Sequence, residues 1–139
     1  MANAAPKRSL GQHFLTDRNI LGTIVDAAGV GPGDTVIEVG PGRGALTAVI
    51  AERVGATGRV VAVELDHALA ATLRTTMPAH VEIVEADARE ADAAALLGGC
   101  TPYRLLGNLP YYAAMPILRT FLESLCPPVA AAVLVQREV

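Results

Sequence analysis

The sequence predicts an α/β fold: a doubly wound, mostly parallel sheet with helices on both faces. Three observations predict it. Runs rich in β-branched residues alternate with runs of helical periodicity along the chain. Several of the strand-like runs, "RVVAV" among them, are apolar throughout or nearly so, as expected when both faces of a sheet are covered. The first strand ends in a glycine-rich turn that leads directly into a helical run, which is how a βαβ unit with a right-handed crossover begins.

The elements follow in order. Met1 to Ser9, with Pro6, Lys7 and Arg8, reads as a loose basic arm. In "TDRNILGTIVDAAGVGPGDT", Thr16 or Asp17 can cap a helix whose apolar face is Ile20, Leu21, Ile24, Val25 and Ala28, closed by Gly29 and the "GPGD" turn. "TVIEVG" is the first strand and "GALTAVIAERVG" its helix; "GRVVAVEL" is the second strand, and "DHALAATLRTTM" a helix stopped by Pro78. "HVEIVEAD" is the third strand and "READAAALLG" a short helix. "YRLLGNLP" is the fourth strand, "MPILRTFLESL" a helix with Pro116 near its first turn, and "VAAAVLVQREV" begins a fifth strand. There is no repeat and no low-complexity linker, so residues 1–139 read as one domain. The chain stops at Val139, inside or just after a strand, and the sheet is expected to be truncated there.

Composition narrows the function. At 52% hydrophobic and 18% charged residues, the chain is globular and not disordered. With no Trp and 4% aromatics, its core must be aliphatic. A formal net charge of -3 argues against holding nucleic acid by bulk charge alone, while leaving room for a locally basic surface at Lys7, Arg8 and Arg18. His13, His67 and His80 are scattered, so no zinc or other metal site is expected. Cys100 and Cys126 have no CxxC spacing and read as free thiols. No apolar run reaches the roughly 18 residues of a membrane span. The amino terminus lacks the apolar centre of a signal peptide, and a cytoplasmic location is expected.

The chemistry concentrates at strand ends. "VIEVGPGRGALT" places Gly40, Gly42 and Gly44 between the first strand and its helix, where a ligand can lie against bare backbone. Glu64 closes the second strand about 20 positions after Gly44, where an acid grips ribose hydroxyls. Asp87 closes the third. The spacing is G-x-G-x-G with Glu38 just before it, not the G-x-G-x-x-G of dinucleotide sites. It resembles the first motif of S-adenosylmethionine-dependent methyltransferases, whose sulfonium cofactor carries no pyrophosphate. In that family the acid at the position of Asp87 accepts a hydrogen bond from the adenine amino group. "NLPY", Asn108 to Tyr111, ends the fourth strand and resembles the [DNS]-P-P-Y motif of enzymes that methylate exocyclic or amide nitrogens. An adenine amino nitrogen is a poor nucleophile because its lone pair is delocalised into the ring. If the Asn108 side-chain oxygen and the Leu109 or Pro110 carbonyl accept its two hydrogens, the nitrogen moves towards tetrahedral geometry. Tyr111 offers a face on which a flipped base can stack.

Together "GQHFL", "VIEVGPGRGALT", "VAVELD", "EADA" and "GNLPYY" resemble, in order and spacing, the small-subunit rRNA adenine N6-dimethyltransferases. The resemblance implies a Rossmann-like S-adenosylmethionine-dependent methyltransferase fold. It also implies dimethylation of two adjacent adenosines near the 3′ end of small-subunit (16S) rRNA, with the immature small subunit as partner. Residue by residue it assigns His13, Leu15, Gly40, Glu64, Asp87 and Asn108 to the cofactor, and Asn108, Leu109, Pro110 and Tyr111 to the target base. His13 stands where the family often has Asn. Tyr112, Ala113, Ala114 and Met115 replace the usual polar residues before Pro116. The related erythromycin-resistance methyltransferases of 23S rRNA usually carry SQNF and NIPY, and Gly11 and Leu109 favour the small-subunit group. Two other functions stay open. One is a DNA-adenine or protein-glutamine methyltransferase, normally NPPY or DPPY; the other is an RNA-binding assembly factor that does not methylate.

Overall fold

Asp17 opens the first helix. Its carboxylate accepts from the backbone N–H of Asn19 at 2.9 Å and of Ile20 at 3.4 Å, satisfying donors that the first turn of a helix leaves unpaired. The structure is a computed structural model and describes residues 17–136. The basic arm, His13 and Leu15 lie outside the described residues.

From α1 (Arg18–Ala27) the chain runs through β1 (Thr35–Val39), α2 (Ala45–Val54), β2 (Arg59–Glu64), α3 (His67–Thr76) and β3 (Val81–Glu85). A 3₁₀ turn at Ala88–Glu90 and the short α4 (Ala93–Leu97) lead to β4 (Arg104–Pro110), α5 (Tyr111–Leu122) and β5 (Ala130–Gln136). The five strands form one sheet in the order β3-β2-β1-β4-β5, and every pairing is parallel. The order reverses between β1 and β4, the crevice where open α/β sheets bind ligands.

Strand alternation sorts side chains into two cores. Val36, Val60 and Leu106 pack with Leu21, Val25, Ile50 and Leu73 of α1 to α3. Ile37, Val39, Val61, Val63, Leu105 and Leu109 pack on the other face with Leu97, Ile117 and Phe121 of α4 and α5. Each fully buried aliphatic side chain contributes about 1.5–3 kcal/mol. The core is mostly aliphatic, but not wholly as expected, since Tyr103 and Phe121 are its largest fully buried side chains.

Three local expectations are corrected. The helix expected over "READAAALLG" is split, because Asp87 and Asp92 each turn back to cap their own segment, accepting from Arg89 N–H and Ala94 N–H. The helix expected from Met115 begins four residues earlier, at Tyr111, with Pro110 (φ −64°, ψ 152°) as its N-cap. The "YYAAM" stretch is therefore helix and not loop, with Ala114 buried against the sheet. Cys100 and Cys126 are paired, their Cα atoms 5.6 Å apart, and not free. They precede β4 and β5, and the parallel sheet brings both loops to its amino edge, a proximity that their separation in sequence conceals.

Candidate active site

All the strand-end residues singled out in the described part of the chain lie along the carboxyl edge of the sheet. There the β1–α2 turn divides a cleft into two lobes, with Gly40 lining both. One lobe, about 560 Å³, lies on the α2 side and is lined by Glu38, Gly42, Asp66, Asn108 and Gln136, among others. The second, about 260 Å³, lies on the α5 side and is lined by Val63, Glu64, Leu65, Asp87, Leu109 and Tyr112, among others. The lobes follow from strand alternation: Glu38 and Asn108 face α2, whereas Val39 and Leu109 face α5.

The turn requires its glycines for different reasons. Gly40 has φ +68°, and a Cβ there would stand 2.9 Å from Leu109 Cδ2. At Gly42 (φ +58°) a Cβ would meet nothing within 4 Å; its bare backbone lines the cleft. Gly44 (φ +92°) is turned away from both lobes, and a Cβ there would collide with Met77 Cε at 2.5 Å. Of the three glycines expected at a cofactor, Gly40 and Gly42 line the cleft and Gly44 shapes the turn.

The carboxylates are held in distinct ways. Glu64 Oε1 accepts from Gly42 N–H and Oε2 from Asp66 N–H, both at 2.9 Å. The acid at the end of β2 thus fixes the glycine turn. Asp87 accepts from the Arg89 backbone N–H at 3.0 Å and from its guanidinium at 3.1 and 2.7 Å. Those bonds hold its carboxyl below the usual range. Glu38 is 0% exposed. Thr47 Oγ1 donates to its Oε1 at 2.5 Å, and its Oε2 has no partner among the described residues. Burial raises its pKa to about 8, against the Thr47 hydrogen bond and with a smaller contribution from the nearby Glu64 charge.

Asn108 and Leu109 are strand residues of β4, Pro110 closes the strand, and Tyr111 is the first residue of α5. Asn108 Oδ1 accepts from Gln136 Nε2 at 3.3 Å. Leu109 is 4% exposed and seated beneath Gly40, while Tyr111 is 66% exposed. Tyr112, not Tyr111, lines the smaller lobe. Glu38 and Gln136 both line the larger lobe; sequence reasoning placed Glu38 only within the first motif and gave Gln136 no role. Glu38 carried a signal, being a lone charge in an otherwise apolar strand. Gln136 carried none, because its place beside Asn108 depends on strand order. Among the described residues, no group of three or more His, Cys, Asp or Glu side chains is disposed to hold a metal, and no helix is long and apolar enough to cross a membrane.

Comparison with known proteins gives concordant results. Residues 3–139 match the family described as ribosomal RNA adenine dimethylase. The chain is 43% identical over 135 residues to ribosomal RNA small subunit methyltransferase A of Dehalococcoides mccartyi, covering 96% of this chain and 45% of that protein. It is 44% identical over 137 residues to the protein of that name from Alkaliphilus oremlandii, covering 95% and 47%. It therefore spans a little under half the length of these curated relatives. Among solved structures, 23S rRNA methyltransferase ErmE superposes with a TM-score of 0.71 at 30% identity, over 86% of this chain and 46% of that one. A SAM-dependent methyltransferase from Aquifex aeolicus, 18% identical with a TM-score of 0.62 over 86% of this chain and 63% of its own, shares the fold. On the family match and these identities, the chain belongs to the ribosomal RNA adenine dimethylase family.

Proposed function

We propose that residues 1–139 form the cofactor-binding domain of an enzyme that dimethylates N6 of two adjacent adenosines in small-subunit rRNA. S-adenosylmethionine is the cofactor, and the immature small subunit in the cytoplasm is the substrate particle. The observation that carries this proposal is the convergence of Asn108, Glu38 and the glycine turn on one lobe, with Glu64 and Asp87 on the adjoining one.

The residues fit the cofactor. A cation beside the unpartnered Glu38 oxygen would favour its ionised form over the protonated one, and the amino end of α2 suits a carboxylate. The smaller lobe joins apolar walls at Val63, Leu65 and Leu109 to the acids Glu64 and Asp87, a lining for a nucleoside and not for a phosphate. Glu64 would hold the ribose hydroxyls and Asp87 the adenine amino group. When bound, the cofactor supplies an activated methyl group.

The chain's own residues prepare the acceptor. The Asn108 side-chain oxygen and the backbone carbonyl of Leu109 or Pro110 take the two amino hydrogens, so that the lone pair leaves the ring plane. Pro110 keeps that backbone extended and offers no competing N–H. Tyr111, the exposed residue that follows Pro110, stacks on the extruded base. Alignment and fixed dipoles supply the rate, and no strong base is required.

The test is methyl incorporation into immature small-subunit particles and, in parallel, into 23S rRNA, alongside calorimetry with S-adenosylmethionine. Asn108→Ala should abolish incorporation while cofactor affinity survives. Label appearing only in 23S rRNA would move the protein to the ErmE type of activity; particle binding without methylation would make it an assembly factor.

A further inference from the structure

The Asn108 side chain makes one hydrogen bond among the described residues, and its donor comes from another strand. In the parallel register of β4 and β5, Asn108 stands opposite Leu134 and Pro110 opposite Gln136. Gln136 is therefore the diagonal neighbour of Asn108 on the same face, within reach of a long side chain. Its Nε2 approaches Asn108 Oδ1 at 3.3 Å, and both residues line the larger lobe with Glu38.

We infer that Gln136 is a positioning residue for the amine-accepting site, holding the Asn108 amide with its oxygen available to the incoming base. The inference rests on the role proposed above for Asn108. A primary amide presents an acceptor on one side and two donors on the other, and rotation by half a turn about its last bond exchanges them. An Asn108 turned the wrong way would point N–H groups at an amine whose own hydrogens need an acceptor. A carbonyl oxygen has two lone pairs. The Gln136 donor uses one and anchors the oxygen; the second remains for the substrate. Gln136 touches neither reacting atom and acts only through Asn108.

Gln136 can donate or accept, so the decisive variants are those that can do only one or neither. Gln136→Glu is nearly isosteric and accepts only; it would draw the Asn108 Nδ2 hydrogens towards itself and turn the oxygen away. Gln136→Met keeps length and removes the hydrogen bond without imposing the reverse orientation. For methyl transfer to small-subunit particles, Gln136→Glu should lower kcat by about 100-fold, and Gln136→Met by clearly less. KM for the particles should stay within about twofold of the unsubstituted chain. Independently of turnover, the assigned side-chain amide resonances of Asn108 in ¹⁵N-labelled protein should move downfield in Gln136→Glu and not in Gln136→Met. Asn108 resonances unmoved in Gln136→Glu overturn the inference whatever the rates. Resonances that move without a kcat difference between the two variants overturn it as well. If the enzyme that contains residues 1–139 transfers no methyl group to adenosine, the proposed function falls, and the resonances alone decide whether Gln136 orients Asn108.

Discussion

Glu38 is the residue whose surroundings depart furthest from what its side chain prefers. With one oxygen held by Thr47 and the other unpartnered, a carboxylate there is costly, and the group stays protonated until about pH 8. The folded protein therefore holds a proton that the unfolded chain, with a pKa near 4.5, has lost. Stability should fall as pH rises between those two values, by a few kcal/mol in all, because the folded state binds more protons over that window. Thermal unfolding from pH 5 to 8 should show this fall, and Glu38→Gln should flatten it; equal slopes would contradict the assignment. Glu64 behaves differently, since one oxygen already holds the glycine turn through Gly42 N–H and the other accepts from Asp66 N–H. Glu64→Ala should weaken S-adenosylmethionine binding by about 1.5–3 kcal/mol, as for other hydrogen bonds to charged groups. Calorimetry reads this directly, and unchanged affinity would remove the ribose contact from the account.

At the scale of elements, the glycine turn and α5 carry the lesson. Gly42 and Gly44 both have positive φ, yet they face different surroundings. Gly44→Ala should destabilise the fold by about 1–3 kcal/mol, through strain and collision with Leu73 and Met77. Gly42→Ala should cost about 1 kcal/mol from φ alone while its new methyl group intrudes on the cleft and weakens cofactor binding. Urea unfolding and calorimetry on the pair separate the effects. Strand positions and the glycine turn were legible in sequence because apolar runs and glycines act locally. The start of α5 was not, since Pro110 serves equally well as a strand end and as a helix cap, and Ala113 and Ala114 bear no polar mark. The split after β3 was missed because Asp92 looks like a helix residue until its cap is seen. Likewise, the Cys100–Cys126 pair and the Gln136 contact depend on which strands become neighbours, which no local pattern encodes.

For the whole molecule, the parallel order β3-β2-β1-β4-β5 is what turns scattered motifs into a site. It sends the ends of β1, β2, β3 and β4 to one edge, so Glu38, Glu64, Asp87 and Asn108 meet although they span 70 residues of sequence. The resemblance read from motifs and the family match over residues 3–139 agree on the family. The most direct test of the central claim is to supply labelled S-adenosylmethionine and immature small-subunit particles to the protein and to its Asn108→Ala variant, then identify the modified nucleosides by mass spectrometry. The account predicts label in N6,N6-dimethyladenosine at two adjacent positions of small-subunit rRNA, absent with Asn108→Ala although that variant still binds cofactor. Label on any other atom, or undiminished transfer by Asn108→Ala, would contradict it.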